Sequence, residues 1–267
     1  MGEMNKSYMK SRIFTFLAFA ILMYAFVIPA VFTHNVVELK EEGKGDKISE
    51  LSIKVWDFYN KNAYKSPTVP KNVAGNLKRL IEEDMEVGVA TMPIWYVALE
   101  APNYPKESFP EGIPVYYHFD GFSGDVFEME TINHFIGMDP MKRGAPYLRA
   151  AAPYALVFVA LLFILYMLYD AKILDYLMLI PVALPVIFLG FYAYWLYWFG
   201  HHMHDWGAFK IKPFMPTVFG DGKVAQFTTH SYPTTGFWLL IAISILSLLA
   251  IVSKKKARRL AQEQEKK

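Results

Sequence analysis

Four consecutive positions, His201, His202, Met203 and His204, place three imidazoles and a thioether directly after an apolar and aromatic run that ends at Gly200. An imidazole with a pKa near its unperturbed value of about 6.5 can accept a proton at working pH, as a base facing a quinol must. Beside a thioether it also forms a soft donor set that suits copper(I) better than a hard cation. The same combination recurs in "NHFIGMDPM", where His134 is followed at four residues by Met138 and at seven by Met141. His230, in "TTHSYP", stands close before the last apolar run, while His34 and His118 are isolated and read as interfacial or hydrogen-bonded residues. Residues 201, 202 and 204 cannot all point one way on a helix or strand, so His201 with His204, or His202 alone, is expected to face inward.

What can hold these groups follows from composition. The 267-residue chain is 54% hydrophobic and 16% aromatic, with a mean hydropathy of +0.20, too apolar for an ordinary soluble domain. It has no cysteine, which excludes disulfides, thiolate metal sites, cysteine-held iron–sulfur clusters and CxxCH haem attachment. A net charge of +2, with no basic stretch interleaved with aromatics outside the tail, argues against nucleic-acid binding. The HExxH, GxxxxGK[ST], GxSxG and GxGxxG patterns are absent. "HHMHD" is one histidine box where membrane desaturases have several, so no independent catalytic activity is expected.

A membrane α-helical fold is the expectation, with four spans at residues 13–33, 149–169, 173–199 and 236–253, since roughly 20 apolar residues cross about 30 Å of hydrocarbon. Lysine and arginine gather at the N-terminus, residues 1–12, and in the tail, residues 254–267, so both termini are placed in the cytoplasm of a multi-pass inner-membrane protein. Residues 170–172 then form a cytoplasmic turn. Residues 34–148 become a mixed α+β extracytoplasmic domain between the first and second spans, and residues 200–235 an extracytoplasmic histidine-rich loop. All seven histidines fall outside. In the third span Pro181 and Pro185 are expected to kink the helix, and "FYAYWLYWF" reads either as an interfacial anchor or as an aromatic wall beside a flat ring such as a quinone or haem.

In the outer domain "ISELSIKVWDFYNKNA" and "VAGNLKRLIEEDMEV" carry apolar residues at helical spacing. "MPIWYVALE", "IPVYYHF" and "DVFEMETINHFIG" read as short strands, with "DGFSGD" as a turn.

The phrases "METINHFIGMDPM", "RAAAPYALVFVALL" and "KIKPFMPTVFGDGKVAQFTTHSYP" resemble those of a family of small membrane proteins encoded beside clade II nitrous-oxide reductases, sometimes called NosB. The resemblance covers most of the chain from about residue 110 onward and transfers no residue roles. It implies an accessory protein of the denitrifying inner membrane, facing the compartment where a multicopper reductase is matured and supplied with electrons. The lipid bilayer and, through the resemblance, periplasmic nitrous-oxide reductase or other Nos membrane proteins are the expected partners.

Three expectations follow. In an electron route from the quinol pool, His201, His202, His204 and His230 contact a quinol or haem b. In a copper-maturation role, His134, Met138, Met141 and Met203 hold copper(I) with the neighbouring histidines. As a cofactor-free scaffold, the chain would instead offer the loop "AFKIKPFMPTVFGDGKVAQF" to the reductase.

Overall fold

A computed structural model describes residues 2–60, 90–102, 109–141, 145–208 and 210–265. Four of its helices are long and apolar enough to cross a membrane: Gly2–Thr33, Tyr147–Leu168, Lys172–His201 and Thr235–Glu265. The chain is a multi-pass membrane protein on that basis.

The first of these begins as α1 (Gly2–Leu22), passes through a π-helical turn (Met23–Val27) and ends as α2 (Ile28–Thr33). Pro29 explains the irregularity, because it has no N–H to give the carbonyl four residues back. The Ile28 N–H reaches Met23 instead. The freed carbonyls are taken up from outside the helix, that of Tyr24 by the Tyr59 hydroxyl at 2.5 Å and that of Ala25 by the Met92 N–H at 3.1 Å. One proline thus ties the span to α4 (Glu50–Asn60) and to the lead-in of the sheet. The short α3 (Val36–Glu41) lies between them in sequence. The helix expected over "VAGNLKRLIEEDMEV" lies outside the described residues.

The remaining spans are α6 (Ala145–Leu168), the short α7 (Lys172–Leu177) running into α8 (Leu179–His201), and α9 (Thr235–Glu265). The most extensive helix pair is α1 with α9. Ser7, Ser11, Thr15 and Ala18 are buried along one face of α1, and Ser247, Ala250 and Ala257 along α9. Small residues let two backbones approach closely where lipid supplies no hydrophobic drive. The Ser11 hydroxyl donates to the Ala250 carbonyl at 2.9 Å across that seam. Then α6 packs on α1 and α8 on α9, so the row runs α6–α1–α9–α8, with no extensive direct packing of α6 on α8 among the described residues. Pro181 lies in the first turn of α8, just past the interruption of the helix at Met178, where an N–H would have no helical partner. Only Pro185 is interior, and the helix stays continuous past it.

The sheet consists of β1 (Trp95–Glu100), β2 (Ile113–His118), β3 (Gly121–Gly124), β4 (Gly220–Val224) and β5 (Phe227–Pro233). It is antiparallel throughout, in the order β3-β2-β1-β5-β4. The sequence suggested a domain confined between the first and second spans. The sheet instead draws its strands from both inter-span segments, and β5, from the segment read as a histidine-rich loop, pairs with β1 along its length. The strand expected over "DVFEMETINHFIG" is a helix, α5 (Val126–Ile136). Val126, Met129, Ile132 and Ile136 are its buried apolar positions, a period of three to four residues that outweighs the β-branched composition. Gly137 closes α5 at φ 88°, the left-handed conformation that glycine adopts without strain. "DGFSGD" is mostly strand β3 rather than turn.

Candidate functional site

The histidine cluster closes the end of α8. His201 and His202 direct Nδ1 at the carbonyls of Tyr197 and Trp198, each at 2.9 Å, and stack on those same rings with centroids 3.9 and 4.8 Å apart. Both carbonyls belong to the last helical turn, and that of Trp198 also accepts the His202 backbone N–H at 3.0 Å, so the imidazoles add a second contact to the helix end. Gly200 lets the following loop return: the Phe214 N–H bonds the Gly200 carbonyl at 3.1 Å, and a Cβ at 200 would collide with the Phe214 carbonyl. His204 stacks on Trp206 with centroids 3.8 Å apart, and its Nε2 lies 3.2 Å from Asp139. Its N–H donates to the Gly137 carbonyl at 2.7 Å, which docks the loop onto the end of α5.

The other expected site residues lie apart. His134 is exposed and stacks on the Trp206 ring at 6.3 Å. Met138 and Met141 are buried in the core beneath the sheet, with Met203 packed partly buried against it. His230 bridges two carboxylates, Asp221 on β4 at 2.7 Å and Glu100 on β1 at 3.3 Å. Partial desolvation works against its charged form, but the hydrogen bonds it donates to both carboxylates outweigh it and hold the pKa above its ordinary value. Among the described residues, no group of three or more histidine or carboxylate side chains is placed to hold a metal ion. None of the four rim histidines, His201, His202, His204 and His230, lines the apolar cavities described next.

The aromatic run of α8 divides by helical period. Tyr194 and Tyr197 are exposed on the outer face. Residues 184, 187, 188, 191, 192, 195, 196 and 199, spaced by three and four, form one wall of a cavity of about 220 Å³. Tyr117, His118, Phe119 and Phe122 of the sheet region close it above, with Met141 and Leu148 completing the rim. Ile187 and Phe191 in this wall are themselves exposed on the lipid-facing surface of α8. The cavity therefore opens on the exposed side of a candidate membrane-spanning helix, where α6 and α8 have no extensive direct packing among the described residues. A second apolar cavity of about 90 Å³ adjoins it and shares Tyr117, Met141, Leu196 and Phe199; Met129 and Met138 also line it.

The polar groups around the larger cavity are sharply unequal. The Ser231 hydroxyl donates to the Val218 carbonyl at 2.8 Å and accepts from Trp95 Nε1 at 2.8 Å. With its single proton spent, its 2.9 Å contact with Tyr192 must be donated by the phenol. Ser231, Tyr192 and Trp95 are thus mutually satisfied and pin the sheet to α8. Trp195 Nε1, by contrast, is buried with no hydrogen-bond partner. The hydroxyl of partly buried Tyr117 forms no hydrogen bond among the described residues, and desolvation pushes that phenol's pKa well up. Two donors beside an apolar slot are what a carbonyl or hydroxyl on a flat ring would meet.

His118 is fixed as well. Its Nδ1 lies 2.7 Å from the Thr91 carbonyl, which can only accept, so Nδ1 carries the proton. Nε2, 2.7 Å from the Ser123 hydroxyl, is then the basic nitrogen of the neutral ring. Burial holds its pKa below the ordinary value, against the raising pull of Asp120 and the Thr91 bond. The sequence left His118 isolated, yet it ends strand β2 one residue after cavity-lining Tyr117. At the far side of the sheet region His34 has a buried Nδ1 without a hydrogen bond, in a small polar niche with Asp120 and Arg149.

No family model matches the chain, and no curated protein or solved structure matches it.

Proposed function

We propose that the protein is an inner-membrane accessory of nitrous-oxide respiration that receives a quinol from the bilayer and supports electron delivery to a periplasmic copper reductase, without catalysis of its own. The observation that carries this reading is the aromatic cavity bordering lipid, with Trp195 Nε1 buried and unpartnered at its wall. The respiratory setting, the reductase and the cytoplasmic placement of both termini rest on the sequence resemblance and on the basic ends of the chain. The ring would enter between α6 and α8, with Trp195 and Tyr117 offering hydrogen bonds to its oxygens. His201 and His202 then pack on the last turn of α8, His204 locks its loop to α5, and His230 ties β5 to β1 and β4.

Solvent extraction of the detergent-purified protein, with fluorescence titration by a short-chain quinone, tests this. The expected result is quinone near stoichiometry and tight quenching, weakened about tenfold by Trp195→Phe and by Tyr117→Phe, as expected for one lost hydrogen bond. Absence of quinone together with absence of quenching overturns the reading. Stoichiometric copper that falls on Met138→Leu or Met141→Leu would put copper handling in its place, with Met129 added to the expected thioethers because it lines the same small cavity.

A further inference from the structure

The end of the bundle opposite the sheet carries cations of two kinds. Lys254 is buried and donates to the Tyr166 and Tyr169 carbonyls, each at 2.6 Å, capping the last turn of α6. Arg258 is held by Asp170 at 2.6 Å and by Asp175 at 2.5 Å, and Tyr8 of α1 donates to Asp170 at 2.7 Å. These groups clasp α1, α6, α7 and α9 together, with Arg258 ion-paired and the Lys254 donors directed at carbonyls. Arg259 is paired with Glu263 along its own helix.

Lys10, Arg12, Lys255 and Lys256 differ. All four are exposed, and none has an ion-pair or hydrogen-bond partner among the described residues. The α1–α9 seam sets their level. Ser11 lies against Ala250, and Arg12 is within electrostatic reach of Lys254. The last residue of the apolar stretch of α9 is Ser253. Both helices continue past that level, to Gly2 and to Glu265, where Lys6 adds a further exposed cation and Glu3 the one acidic residue near it on α1. The four cations therefore form a collar about two helical turns deep around the end of the apolar stretch, where hydrocarbon gives way to lipid head groups.

We propose that this collar binds the phosphates of anionic phospholipids, so that the protein recruits acidic lipid around the α1–α9 pair. Phosphate is the matching chemistry because the collar is multiply cationic, its neighbouring carboxylates Asp170 and Asp175 are already engaged, and its level coincides with the phosphodiester layer. The proposal is independent of the quinol reading.

Native mass spectrometry of the full chain in detergent tests it, with phosphatidylglycerol and phosphatidylcholine of identical acyl chains added in turn. The expected result is roughly tenfold greater retention of phosphatidylglycerol, diminished by salt. The Lys10→Gln, Arg12→Gln, Lys255→Gln, Lys256→Gln variant should hold both lipids equally while keeping the wild-type melting temperature in phosphatidylcholine micelles. Equal retention by the wild type, or an undiminished preference in the variant, overturns the proposal. Displacement of phosphatidylglycerol by equimolar inorganic phosphate also overturns it, since the collar would then be a site for free phosphate. If the quadruple variant does not fold, the salt dependence and phosphate competition of the wild type decide the matter.

Discussion

The two ends of the helix row treat buried polar groups in opposite ways. At the basic end the buried groups of the clasp are engaged: Arg258 with Asp170 and Asp175, Lys254 with two carbonyls, Tyr166 with Asp175 at 3.0 Å. At the sheet end the Trp95–Ser231–Tyr192 network is saturated, yet one helical turn further along α8 Trp195 Nε1 has nothing to bond. A buried donor left unpaired is expensive, on the order of 1–3 kcal/mol, and Trp195 Nε1 beside its apolar slot is what the proposed quinol reading draws on. The basic end is built to hold shape, whereas the sheet end holds an opening.

That contrast breaks most visibly at Arg258. Replacing it with Met strands the buried Asp175 carboxylate, and thermal unfolding in detergent should register a loss of about 3 kcal/mol or more; adding Asp175→Leu should recover most of it, because the stranded charge is then gone. A double variant no more stable than the single one would remove the clasp from the account. At the other end the same measurement should barely respond. Trp195→Phe deletes a donor that bonds nothing, so stability should change by less than about 1 kcal/mol while quinone quenching weakens. A loss of stability matching that of Arg258→Met would make Trp195 a packing residue.

The smallest effects come from pH and lie within the sheet. His118 has a folded pKa below its unfolded value of about 6.5, so its contribution is complete above that pH and is lost as pH falls from there through the depressed folded value. His230 runs the other way, contributing fully below about 6.5 and losing that contribution as pH rises through its raised folded value. Melting temperature against pH should thus lose its slope below about pH 6.5 in His118→Gln and its slope above about pH 6.5 in His230→Gln. Unchanged slopes in both would mean that neither ring titrates as its neighbours dictate.

Much of this architecture could be read from residue order. The four spans stand out because each is a long apolar run, and β1, β2 and α4 follow from local pattern. What escaped was set by contacts distant in sequence. The register that joins β5 to β1 links residues 95–100 with 228–233, and no local periodicity reports it. The assignment of α5 as a strand came from weighing β-branched residues above the spacing of Val126, Met129, Ile132 and Ile136. At the site, the aromatic wall of α8 was visible as one of two readings, but its division into an outer face and a cavity face needed the helix phase. The "HHMH" run stands out in the sequence, whereas isolated His118, which lines the larger cavity, does not. A histidine that caps a carbonyl and one that borders a cavity are the same letter, and only their surroundings separate them.

The position of β5 between β1 and β4 has a consequence for synthesis. Residues 95–100 emerge long before residues 227–233, and two membrane-crossing segments must be inserted in between. Until then β1 pairs only with β2 and presents a bare edge of N–H and carbonyl groups, the kind of edge on which chains associate wrongly. Completion of the sheet is therefore a late step that reports correct insertion of the third span. A nascent chain whose third span failed to insert could not bring the last hairpin to that edge, and would offer quality-control proteases an unfinished sheet.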